Sequence, residues 1–192
     1  RQLANGSWSG EGQFGGKEIG VTSLALLALL NSDVPQDDPA IQKGFEFLRA
    51  QPPGLEPKLV YEASLMVMAF CATDPIRPND KDRVIRIVDL LERTQCTSGE
   101  FGGLWGYDII GRGRRPGSNG EDRSNGQFAV LALRDAAYAG VKIDRKVWER
   151  VHEHWLKGQR SDGSWGYHPG DGPKGSMTTA GLSTLAITTR ML

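Results

Sequence analysis

Cysteine is almost missing: Cys71 and Cys96 are the only two in 192 residues. Both lie on or at the end of apolar runs, so a disulfide framework is excluded, while the compartment is left open. Charge of one sign is missing too. The 23 basic and 23 acidic side chains cancel, which argues against a general binder of nucleic acid or membrane surfaces. No apolar run reaches the roughly 18 residues of a membrane span. No leader pattern is visible, but Arg1-Gln2 reads as the end of a helix, so a slice of a longer protein is expected. The length suffices for one domain, residues 1–192, with its own core. Glycine is plentiful at 25, and it clusters in a few places.

Between the glycine clusters the chain reads as helices of two alternating kinds. Ser23–Leu30, Ser64–Cys71, Gln127–Leu133 and Gly181–Ile187 are apolar nearly all round, the mark of a helix buried on all sides. The others are amphipathic, with stripes of Ile41, Phe45 and Leu48, of Val84, Ile87, Val88 and Leu91, and of Val147, Trp148, Val151 and Trp155. Their opposite faces carry charge, so one side meets water. Asp38 before Pro39 and Asp144 before Arg145 read as N-caps. Asn79 and Asp80 read the same way. Seven helices are expected, near 19–31, 39–51, 59–73, 80–95, 122–140, 145–159 and 176–191.

The glycine clusters contain a repeated joint. Gln159-Arg160-Ser161-Asp162-Gly163-Ser164-Trp165-Gly166-Tyr167 follows one helix and precedes another. Gln2 to Trp8 has the same Gln-x3-Gly-x-Trp spacing. Gln95 ends a helix before Gly103-Leu104-Trp105-Gly106-Tyr107. Gln51 ends a fourth helix, but Pro52-Pro53-Gly54-Leu55 follows and no tryptophan does. A recurrence at 2, 51, 95 and 159 marks repeat architecture. The glutamine amide can cap the last carbonyls of its own helix, or lie flat against the indole. The glycine allows a positive φ before the ring. Two-layer helical hairpins follow from this pattern, and periodicity alone leaves a closed ring and an open solenoid equally possible.

The Gln-x3-Gly-x-Trp joint resembles the QW motif of squalene and oxidosqualene cyclases and is similar to the repeat of protein prenyltransferase beta subunits. The resemblance runs over nearly the whole chain as four partial repeats, with Gln51 departing most. It implies an all-α fold, an alpha/alpha toroid of inner helices around a cavity with outer helices around them. A full ring has about six hairpins, so an arc or a small ring is expected here. The catalytic signatures of these families are not in the sequence. The acid pairs Asp37-Asp38 and Glu121-Asp122 are not Asp-x-Asp-Asp and suit helix starts. Asp-x-Cys, the prenyltransferase zinc pair, does not occur, nor does the thioester motif Cys-Gly-Glu-Gln. The resemblance therefore implies a non-catalytic bacterial member, a binding or scaffold domain without cofactor or metal. The alternative is an enzyme of the same fold, a terpene cyclase, prenyltransferase or glycan-active toroid enzyme, completed by parts outside this chain.

Aligning the apolar helices on Ser23, Ser64, Gln127 and Gly181 exposes a polar belt upstream: Gly20, Tyr61, Ser124 and Thr178, then Val21, Glu62, Asn125 and Thr179. Helix N-termini offer free amides to polar ligands. One reading makes Tyr61, Glu62, Asn125, Gln127 and Thr179 a ligand belt over an apolar floor of Leu24, Leu65, Phe128 and Leu182, for a small molecule or glycan. Burial would raise the Glu62 pKa and suit it to proton transfer. The other reading makes Ser124, Thr178 and Thr179 caps and gives Asn125 and Gln127 to neighbouring loops. His152 and His154 point to different faces and cannot share a metal. His168 near Asp171 is a weak metal pair. Arg112, Arg114, Arg115 and Arg123 could meet a phosphate or acidic sugar, or form a solvated loop balanced by Glu121 and Asp122.

Overall fold

A computed structural model describes residues 1–9, 17–52, 57–109 and 120–192. Among these the chain is all-helical, with seven helices and no strand. They are α1 (Glu18–Leu30), α2 (Pro39–Arg49), α3 (Val60–Cys71), α4 (Pro78–Thr94), α5 (Arg123–Tyr138), α6 (Arg145–Lys157) and α7 (Gly175–Met191). Two amphipathic helices begin where their caps predict. Asp38 accepts from the Ala40 N–H at 2.8 Å, and Asp144 from the Lys146 N–H at 2.9 Å. The third begins earlier than Asn79 and Asp80 suggest, with Pro78 in the first turn after Arg77. Asp80 is drawn away by a stronger partner, because its carboxylate takes a two-pronged bond from Arg49 of α2 at 2.8–3.1 Å.

The apolar helices form one row. α3 packs between α1 and α5, and α5 packs between α3 and α7. The amphipathic helices make a second layer: α2 lies on α1, α4 on α3 and α5, and α6 on α7. Burial follows position in the row. In the centre, residues 63–70 of α3 are buried without a break. At the ends the expectation of all-round burial fails, since Leu24 of α1 is 56 % exposed and Leu182 of α7 is 61 % exposed. These two helices have a neighbour in the row on one side only. Among the described residues they share no extensive contact with each other.

The joints are held differently from the expectation that each glutamine caps its own helix. That role falls to the indoles. Trp105 Nε1 donates to Leu91 O at 2.7 Å, and Trp165 Nε1 donates to Trp155 O at 2.8 Å. Both carbonyls stand four residues before the glutamine of the joint. The rings find the same place although the two loops differ in length, because a last-turn carbonyl lies open at the helix end and can take a further donor, as Leu91 O does beside the Gln95 N–H at 3.2 Å. Gln2 and Gln159 instead close their own loops, donating to Gly6 O at 2.9 Å and Gly163 O at 3.0 Å. Gln95 does so through Gly103 O at 3.3 Å. The three glycines have φ of 88°, 82° and 94°, as the motif requires. Gln51 alone caps its own helix, donating to Phe47 O at 3.1 Å.

Candidate functional site

The five belt residues begin helices, but the fold divides them. Tyr61 of α3 reaches α5, where its hydroxyl donates to Ser124 Oγ at 2.7 Å and its ring meets Phe128 edge-on at 4.8 Å. Tyr107 lies 6.2 Å from the same ring, and the Tyr167 hydroxyl is hydrogen-bonded to the Tyr61 hydroxyl. The two joint tyrosines therefore gather around Tyr61. Glu62 points the other way, toward α1: its Cγ would lie 3.1 Å from a Cβ on Gly20. Half-burial pushes its carboxyl up, and the Gly20 backbone and Lys17 only partly offset this. The direction matches the expectation, but its neighbours are those of α1 rather than the belt.

Of the other three belt residues, Asn125 and Thr179 fit local roles. Asn125 is fully buried, and both its backbone N–H (2.6 Å) and its side-chain amide (2.8 Å) donate to the Asp122 carboxylate. Asp122 is the N-cap of α5, so Asn125 locks a helix start. Thr179 is exposed and donates back to Gly175 O at 3.1 Å. Thr178 accepts from the Trp165 N–H at 3.3 Å, as Thr22 accepts from the Trp8 N–H at 2.9 Å. Gln127 is half-buried on α5. Tyr61 and the α5 start thus come together, while Glu62 and Thr179 lie apart from them. Of the predicted floor, Leu65 is buried and Phe128 half-buried, while Leu24 and Leu182 are exposed.

A better-formed cavity lies elsewhere, in a cleft of about 630 Å³ between the loops of the second and third joints. It is lined by residues 97–102, the start of α5, the last turns of α6 and residues 166–171. Arg123 is its anchor. Of the expected arginine cluster, Arg112, Arg114 and Arg115 lie outside the described residues, and Arg123 is not solvated but 3 % exposed. Its Nη1 donates to Gly166 O and His168 O, both at 3.1 Å, and its guanidinium lies 5.7 Å from the Trp155 ring. Gly158 makes room for it, since a Cβ there would sit 2.3 Å from Nη2. Desolvation lowers the Arg123 pKa, and the charges of Asp171 and Glu100 counter that. Its Nε has no partner among the described residues.

His154 lies beside it on α6, 8 % exposed, with Nε2 also unpartnered among the described residues. Burial, then the Arg123 charge, depresses its pKa to about 4, with the Gly102 backbone opposing. The ring is therefore neutral at pH 7. Arg150, Lys157 and Arg160 line the same cleft with Glu100, Glu153 and Asp171. Lys157 is paired with Glu153, and Arg150 donates to Gln95 Oε1 at 2.6 Å. His168 and Asp171 meet at 3.1 Å, but no group of three metal-ligating side chains occurs among the described residues. The sequence hid this site because its residues are far apart in the chain. Arg123 and His154 read as a loop charge and a helix-face imidazole until the joints fold onto them. No protein-family model matches this chain, and no curated protein matches it.

Proposed function

We propose that this chain is a non-catalytic binding or scaffold domain of helical-hairpin repeats, an arc of the toroid built by terpenoid cyclase and prenyltransferase-like folds. The repeat spacing of the joints supports the fold relation, because their tryptophans and glycines are spent on holding helix ends. The ligand we assign to it is a small polar molecule carrying an acid group, bound in the cleft between the second and third joints. One observation carries this: Arg123, buried and with an Nε–H that has no partner among the described residues, lines one cavity with Arg150, Lys157 and Arg160. A few convergent polar groups in one concave site are the usual makeup of a small-molecule pocket, and arginine suits carboxylates and phosphates. Isothermal titration with glucuronate and with inorganic phosphate tests it. Millimolar or tighter binding of either is expected, weakened about tenfold in Arg160→Ala, an exposed residue whose loss spares the fold. No heat with either probe, or equal binding by the variant, sinks the assignment.

A second reading has Glu62 behind it. Its raised carboxyl is suited to proton transfer at the α1–α3 contact. Carbon-13 titration of Glu62 would show an ordinary carboxylate if that reading fails.

A further inference from the structure

The three Gln-to-Trp joints share one loop but differ in what lies against it. Gln2 also donates to Ala40 O at 2.9 Å, in the first turn of α2. A Cβ on the buried Gly6 would sit 2.2 Å from Lys43 O, three residues further along that helix. In the second joint Gln95 donates to Val147 O at 3.2 Å, in the first turn of α6. A Cβ on the buried Gly103 would sit 2.4 Å from Arg150 O, again three residues along. Glutamine and glycine therefore grip the start of an outer helix at the same two points in both. In each case it is the outer helix that follows the next apolar helix.

The third joint has the same grip with nothing in it. Arg160 N–H donates to Ser164 O at 3.0 Å, as Leu3 N–H donates to Ser7 O at 2.8 Å. Asp162 accepts from the Ser164 N–H at 3.0 Å, as Asn5 accepts from the Ser7 N–H at 3.1 Å. The shape is already set, and Gly163 already has φ 82°. Yet Gln159 and Gly163 are both exposed, and a Cβ on Gly163 would meet only the Gln159 amide, at 3.9 Å.

We propose that the Gln159–Trp165 joint is a docking site for one more amphipathic helix of the α2 and α6 type, seated beside α7. Its start carries an acidic N-cap like Asp38 and Asp144. Its first-turn carbonyl accepts from Gln159 Nε2, and its backbone three residues later lies on Gly163. The interface continues one that the chain already makes twice. A second copy of this chain does not fit the role, because the starts of α2 and α6 are already gripped by their own joints, and α4 has Arg77 at its N-cap instead of an acid, its Asp80 held by Arg49. The glycine at 163 is then not idle: lacking a Cβ, it leaves room on the side where the helix backbone would come closest, as Gly6 and Gly103 do for Lys43 O and Arg150 O.

The experiment supplies the helix in cis. Residues 139–159, the α5–α6 connection with α6, are appended after Leu192, where a short tether gives an effective concentration on the order of millimolar. The fused chain is expected to melt about 5 °C above the unfused one. That gain is expected to vanish in Gln159→Ala and in Gly163→Ala. Each variant is compared fused and unfused, so any effect on the loop itself cancels. No gain on fusion overturns the proposal, and so does a gain that survives both substitutions. A concentration-dependent dimer of the unfused chain that Gln159→Ala abolishes overturns it in favour of a second copy. None of these outcomes depends on whether glucuronate or phosphate binds the cleft.

Discussion

Trp105→Ala is expected to cost about 3–5 kcal/mol of folding stability, the range for deleting a large buried aromatic. Trp105 is fully buried, and its indole N–H holds Leu91 O in the last turn of α4. Its backbone carbonyl accepts from the Asp122 N–H at 3.2 Å, beside the start of α5. Removing the ring empties a buried volume and takes one of two donors from Leu91 O, which keeps the Gln95 N–H at 3.2 Å. For a chain of this size the melting temperature should fall by roughly 10 °C. Trp105→Phe separates the two effects, because it keeps most of the volume and loses only the hydrogen bond, worth about 1 kcal/mol. Trp8 is only half-buried, so Trp8→Ala should cost less than Trp105→Ala. Thermal and urea unfolding check the series. A Trp105→Ala chain that melts with the wild type would remove the structural role given to the joints.

Acid should weaken the fold through His154. Its pKa in the folded chain is about 4, below the ordinary 6.5. Between those values the unfolded chain binds a proton that the folded chain refuses, so stability falls as pH drops from 6.5 to 4. The loss attributable to His154 is about 3 kcal/mol. The charged ring would be buried against Arg123, which makes the protonated form costly in this place. Glu62 and Asp135 act in the opposite sense, because burial raises both carboxyls and favours the folded chain where they stay protonated. The difference between wild type and His154→Phe isolates the imidazole. Urea unfolding from pH 7.5 to 4 should give the wild type a steeper loss than the variant. Parallel curves would mean that His154 is charged or exposed in the folded chain.

What the sequence determined by itself was everything set by local pattern. Seven helices, their two kinds and two of three N-caps follow from apolar spacing and from Asp38 and Asp144, because a helix face and a cap are fixed by residues within a turn or two. The joints were legible for the same reason: glycine at a fixed spacing before tryptophan permits a positive φ by its own chemistry. The partners of those joints were not. Whether Gln95 caps α4 or reaches Val147 depends on where α6 is laid, and that is decided by packing between segments more than fifty residues apart. Asp80 lost its predicted cap role to Arg49 for the same reason. The belt residues are divided because a shared repeat phase puts side chains at the same height, not on the same side: Glu62 turns to α1 and Asn125 to Asp122. Arg123 and His154 acquired their buried, unpaired nitrogens only when two loops closed over them, since desolvation is a property of the surroundings and no single stretch of sequence carries it.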